Sequence, residues 1–106
     1  MSTKESEVLN RIREVAHRTI PQDGRAILYG SRARGDAHPN SDWDILILLK
    51  KNKLDDQDYT YVSYPFVILG CELNEEINPI MYTEREWNQY DFTPFYENVT
   101  HDGILL

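Results

Sequence analysis

The chain has 106 residues, with 11 Lys and Arg against 18 Asp and Glu and a net charge of −7. That length suits one domain over residues 1–106, and the acidic balance excludes a general binder of long nucleic acid, which needs a basic surface. The single cysteine, Cys71, cannot form an internal disulfide, no secretory-type apolar stretch follows Met1, and no apolar run reaches the length of a membrane span, so a soluble cytoplasmic protein is expected.

From Glu5 to Ile20, the residues Val8, Leu9, Ile12, Val15, Ala16 and Ile20 recur at three- and four-residue steps, which predicts an amphipathic helix ended by Pro21 and Gly24. Arg25 to Tyr29 reads as a short strand covered on both faces, since Ala26-Ile27-Leu28-Tyr29 is apolar throughout. It runs directly into Gly30. Ser31 is placed to N-cap a helix of one or two turns, and Ala37-His38-Pro39-Asn40 is turn chemistry. Asp42 to Leu49, an Ile/Leu run with two acids at its start, is the expected central strand.

Between Leu54 and Glu76 two patterns compete. Tyr59, Val62, Phe66, Leu69 and Leu73 fit helical spacing, whereas Tyr-Thr-Tyr-Val at 59–62 favours a strand. Length and periodicity favour a helix, kinked at Pro65. Ile77 to Thr83 follows as a third strand, with Pro79 suggesting an edge position or an irregular start. Thr83 then N-caps another helix in a capping box with Glu86, and Thr93-Pro94 starts a last short helix through Val99, with Gly103 closing the chain.

The chemistry-bearing residues cluster at two strand ends. Asp42 and Asp44, two apart on a strand, leave one face while Trp43 leaves the other. Two carboxylates so close resist joint ionisation unless a cation compensates, and a hard ion such as Mg²⁺ does so while bridging triphosphate oxygens. Asp-x-Asp alone is an ordinary strand start. It gains meaning from Gly30-Ser31, which directly follows one strand, with ten residues between Ser31 and Asp42. Glycine lets the backbone approach a phosphate, and N–H groups at a helix start, with the Ser31 hydroxyl, suit its oxygens. Arg25, Arg32 and Arg34 gather basic charge there. Walker and Rossmann loops do not fit: Asp36 follows Gly35 where a lysine would be needed, and there is no Gly-x-Gly-x-x-Gly.

Gly30-Ser31-Arg32-Ala33-Arg34-Gly35-Asp36 followed by Ser41-Asp42-Trp43-Asp44-Ile45 resembles the signature of the DNA polymerase beta-type nucleotidyltransferase superfamily, and within it the minimal nucleotidyltransferases that pair with HEPN-domain proteins. The resemblance is strong over Ala26 to Leu49, and weaker through Ile77 to Trp87 and Pro94 to Leu106. It implies an α/β (α+β) fold, a small mixed sheet flanked by helices. It also implies Gly30 and Ser31 as phosphate contacts, with Ser41, Arg32 and Arg34 as further nucleotide contacts; Arg32 and Arg34 rank below Ser31 because helical spacing cannot aim both at one ligand. Asp42 and Asp44 are implied as catalytic ligands of two Mg²⁺ ions, and ATP or another nucleoside triphosphate as substrate.

The family's third acidic residue falls on Asn78, an amide that can ligate a metal but cannot take a proton. Glu76, two residues earlier, is a candidate substitute ligand, although a solvated acid is its plainer reading. His38 reads as an exposed turn histidine, His17 and His101 lack metal-ligand spacing, and Cys71 reads as a small apolar residue. Three functions follow from the resemblance. The first is transfer of AMP from ATP to a partner-protein hydroxyl such as that of a HEPN toxin. The second is a catalytically impaired nucleotide- or partner-binding module, and the third a modifier of antibiotic-type small molecules. Self-association is left open.

Overall fold

A computed structural model describes residues 1–106. The first helix, α1, spans Thr3–Thr19 and begins at a capping box in which the Glu5 amide donates to Ser2 Oγ at 3.1 Å and the Ser2 amide to Glu5 Oε1 at 3.2 Å. Then come β1 (Arg25–Tyr29), α2 (Ser31–Arg34) and β2 (Trp43–Leu49). The long predicted helix follows as α3 (Asp56–Asp58), a π-helical turn (Tyr59–Ser63) and α4 (Tyr64–Leu73). The chain ends with β3 (Ile77–Thr83), α5 (Glu84–Asn88), α6 (Pro94–Asp102) and β4 (Ile104–Leu105).

The four strands form one mixed sheet in the order β3-β2-β1-β4, with β2 and β3 parallel and the other pairs antiparallel. The α/β expectation is borne out. Along β2, Trp43, Ile45, Ile47 and Leu49 enter a 16-residue core with α1 and α4, packing against Ile12, Val15, Phe66 and Leu69. The alternate residues Leu46 and Leu48 face the other side, where only Trp87 and Val99 join them in a buried cluster of four. That second face begins at Asp44.

Pro65 causes no simple kink. A proline inside an α-helix removes one donor and crowds the carbonyl four residues back; here the preceding turn widens into π geometry, and α4 proceeds with Pro65 in its first turn. The helical run is also shorter than expected, capped at the start by Asp55 and stopped by Asn74 in the left-handed conformation, φ 53°. Gly103 does not close the chain: α6 continues past Val99 to Asp102, and Ile104–Leu105 adds a fourth strand beside β1. Only glycine fits that bend, since a Cβ at Gly103 would lie 2.5 Å from the Val99 carbonyl oxygen and 2.6 Å from Ile27 Cγ2.

The third strand is an edge, as Pro79 suggests. The Trp43 amide donates to the Glu76 carbonyl at 2.8 Å, so by the alternation of a parallel pair the even-numbered residues of β3 bond to β2. Pro79 therefore faces the open side, where its missing N–H leaves no ladder bond unmade.

Candidate active site

Three strand ends meet on the thinly covered face. Tyr29 ends β1, Asp44 pairs with it in antiparallel register, and Asn78 pairs with Asp44 in parallel register. Asp42 lies one residue before β2, whose regular pairing begins at Trp43. It is still held, because Asn78 Nδ2 donates to Asp42 Oδ2 at 3.1 Å.

Gly30 is locked to this arrangement. Its φ is +76°, and a Cβ built on it would sit 2.5 Å from Asp44 Oδ2, so the backbone of this turn rests directly on the carboxylate. The N-cap of α2 is Gly30, where Ser31 was expected. Ser31 opens the helix, its hydroxyl is not used for capping, and the Ser31 and Arg32 amides have no intrahelical acceptor.

The two arginines part ways. Arg32 is buried on the α1 side: its guanidinium donates to Glu5 Oε2 at 3.1 Å and to the carbonyls of Pro39 at 3.3 Å and Ser41 at 2.9 Å, and lies 4.6 Å from the centre of the Trp43 ring. With those donors engaged and Trp43 across the sheet from Asp44, Arg32 braces the loop from Ala37 to Ser41, and the structure does not bring its guanidinium to the face that carries Asp44. Ser41 belongs to the same brace, its carbonyl receiving Arg32 and its hydroxyl accepting from the His38 amide at 2.8 Å. Arg34 is exposed, pairs with Asp36 at 3.3 Å, and its charge reaches Asp44.

Asp44 holds its proton more tightly than an ordinary aspartate. Burial is the main cause and the neighbouring Asp42 charge the second, partly offset by the Asn78 amide and Arg34. Tyr29, which the sequence reading passed over, is pushed up to about 12 by burial and by the charges of Asp44 and Tyr82. Its position just before Gly30 was the available signal, and the strand register sets it opposite Asp44.

A carboxylate whose charge is opposed by burial and by a second carboxylate is a fit for a divalent cation. The set stops at two acids: no third Asp, Glu, His or Cys lies close enough to complete a cluster of three. Glu76 is not brought into such a cluster with Asp42 and Asp44. Its carbonyl is tied to β2, and its exposed side chain lines, with Asn78, Ser63 and Cys71, a cleft of about 550 Å³ between α4 and β3.

The model of the nucleotidyltransferase domain family matches residues 9–93, which takes in both strand ends and the loop between them. The chain belongs to that family. It is 35% identical over 82 residues to a Methanocaldococcus jannaschii protein named "Putative protein adenylyltransferase", a match covering 77% of this chain and 76% of that one. Among solved structures it resembles one chain of a toxin–antitoxin crystal structure with AMP-PNP, at TM-score 0.60 and 21% identity over 91% of this chain and 69% of the other. It also resembles a chain in the complex of a tri-AMPylated Shewanella oneidensis HEPN toxin with an MNT antitoxin, at TM-score 0.56 and 17% identity over 95% and 70%. At these identities the structures show the fold, which is that of a nucleotidyltransferase.

Proposed function

We propose that this nucleotidyltransferase moves AMP from ATP to a hydroxyl group of a partner protein, with a HEPN-type toxin as the acceptor. The observation that carries the reading is the contact of Gly30 with Asp44, which fuses a phosphate-binding turn to a carboxylate pair. The adenylyltransferase name of the M. jannaschii relative, and the AMP-PNP and AMPylated toxin in the structures of like fold, support the nucleotide and the acceptor class.

In this reading the Ser31 hydroxyl and the first amides of α2 hold phosphate oxygens, and Arg34 adds positive charge from the exposed side. Asp42 and Asp44 would hold two Mg²⁺ ions, with the amide oxygen of Asn78 as a further ligand. Held there, the ions would supply charge neutralisation at the triphosphate and would lower the proton affinity of the acceptor hydroxyl. The acceptor oxygen bonds to the α-phosphorus, the α–β phosphoanhydride breaks, and pyrophosphate leaves. Asn78 cannot receive the hydroxyl proton, so the task falls to the aspartates or to water.

The test is transfer of label from ATP to a purified HEPN-type protein, in Mg²⁺, beside an Asp42→Asn/Asp44→Asn control. Label that survives the double substitution refutes the two-aspartate mechanism. A second reading, a binding module without turnover, is favoured by one contact: the Asn78 amide occupies Asp42 where a third acid would stand. Tight ATP binding with no transfer would establish it. For an active enzyme, Asn78→Asp should raise the transfer rate roughly tenfold or more by restoring a proton acceptor; an unchanged rate would place the third position elsewhere.

A further inference from the structure

The face that carries Asp44 also carries a connected set of aromatic rings that the phosphate chemistry leaves unused. Tyr29, opposite Asp44, meets Phe95 with ring centroids 5.4 Å apart at 73°, and Phe95 meets Trp87 at 5.5 Å and 88°. Trp87 stacks on Tyr96 at 4.9 Å, and Tyr82 bridges Trp87 to Tyr90 at 6.0 and 5.5 Å. Trp87 is buried, but Tyr90, Phe92 and Phe95 remain 42%, 82% and 38% exposed. Of these, Phe95 is the ring that adjoins the site, through Tyr29 opposite Asp44, and exposed apolar ring surface beside a polar site is a place for a ligand.

We infer that Phe95, flanked by Tyr29, is the platform on which the nucleobase of the bound triphosphate stacks. The inference rests on the nucleotide site proposed above and adds to it the place of the base. Both neighbours meet Phe95 edge-to-face and neither is stacked parallel on it, 38% of the residue is open to solvent, and a base is the planar partner that a triphosphate anchored at Ser31, two residues past Tyr29, would bring. The other space beside the carboxylates is less suitable. The cleft between α4 and β3 is lined by Ser63, Asn74, Glu75, Glu76 and Asn78 and contains no aromatic ring. Polar, open and ending at Asn78, it suits the approach of an acceptor.

The experiment compares ATP with inorganic tripolyphosphate, which has the charge and lacks the base. Both are titrated calorimetrically in Mg²⁺ into the wild-type chain and into Phe95→Ala, Phe95→Leu and Phe95→Tyr. Loss of a base stack weakens binding roughly tenfold. Phe95→Ala and Phe95→Leu should therefore lose about that factor for ATP alone, while Phe95→Tyr, which keeps the ring, binds ATP as the wild type does. Phe95→Leu retains apolar bulk and guards against a folding defect in the alanine variant. Wild-type ATP affinity in both ringless variants overturns the inference and leaves the patch to a protein partner. Equal weakening of ATP and tripolyphosphate also overturns it, as a structural effect. If the wild type binds tripolyphosphate but ATP no more tightly, the base platform fails while the phosphate site stands; if it binds neither, the phosphate site itself fails and the platform with it.

Discussion

The two faces of the sheet are built from alternate residues of the same strands and do opposite work. On one, Trp43, Ile45, Ile47 and Leu49 join a core of 16 buried residues under α1 and α4. On the other, the alternate series Asp44, Leu46, Leu48 runs from a carboxylate half in water to a buried cluster of four. The first face supplies stability that the second spends on a crowded pair of like charges. Arg32 and Arg34, two residues apart, make the division visible at single side chains: one is sealed against Trp43, the other stands in solvent within reach of Asp44.

The sharpest break between the faces is expected from Asp42→Asn/Asp44→Asn. Label transfer should fall by roughly 1,000-fold or more, the scale of losing principal charge-stabilising groups, while the thermal transition persists. Unfolding of this variant would mean that the carboxylates are structural. Next in size is the arginine pair. Arg32→Ala strips a buried guanidinium from Glu5 and two carbonyls and should cost about 2–3 kcal/mol in chemical denaturation. Arg34→Ala should change stability by less than about 0.5 kcal/mol and weaken tripolyphosphate binding instead. Exchange of those two outcomes would invert the assignment.

The smallest effect concerns Asp44 alone. Its folded-state proton affinity is raised, so the folded chain releases that proton at higher pH than the unfolded chain. The resulting penalty is absent below the ordinary aspartate value of 3.8, grows as pH rises toward the folded value, and is complete above it. Asp44→Asn should therefore show a slightly higher Tm than wild type at pH 7, and that advantage should vanish near pH 3. An advantage that grows on acidification would contradict the burial of this carboxylate beside Asp42.

Much of this division was legible in the sequence, because period and punctuation carry it. The spacing of Val8, Ile12 and Val15 sets α1, the run after Asp42 sets β2, and Thr83 with Glu86 sets the start of α5 as expected, each amide bonded to the other's side chain. What escaped depends on tertiary contact. A two-residue strand such as Ile104–Leu105 has no period, and exists because Leu28 and Ile27 offer partners. The π turn is a response to Pro65 inside a packed helix, where the proline by itself predicts only a kink. At the site, the acids and Gly30 were readable from spacing. The role of Arg32 was not, because its partner Glu5 lies 27 residues away. Tyr29 looked like one more apolar strand residue until the antiparallel register set it opposite Asp44.

Pro79 has a consequence for how this molecule meets others. An open strand edge is a template on which a second chain can continue a sheet. Here the β3 border lacks a donor at its third residue, and the opposite border is the two-residue β4. Neither side offers the unbroken row of amides that lateral polymerisation needs. Crowded copies of this chain are thereby discouraged from zipping into ribbons through either border of the sheet.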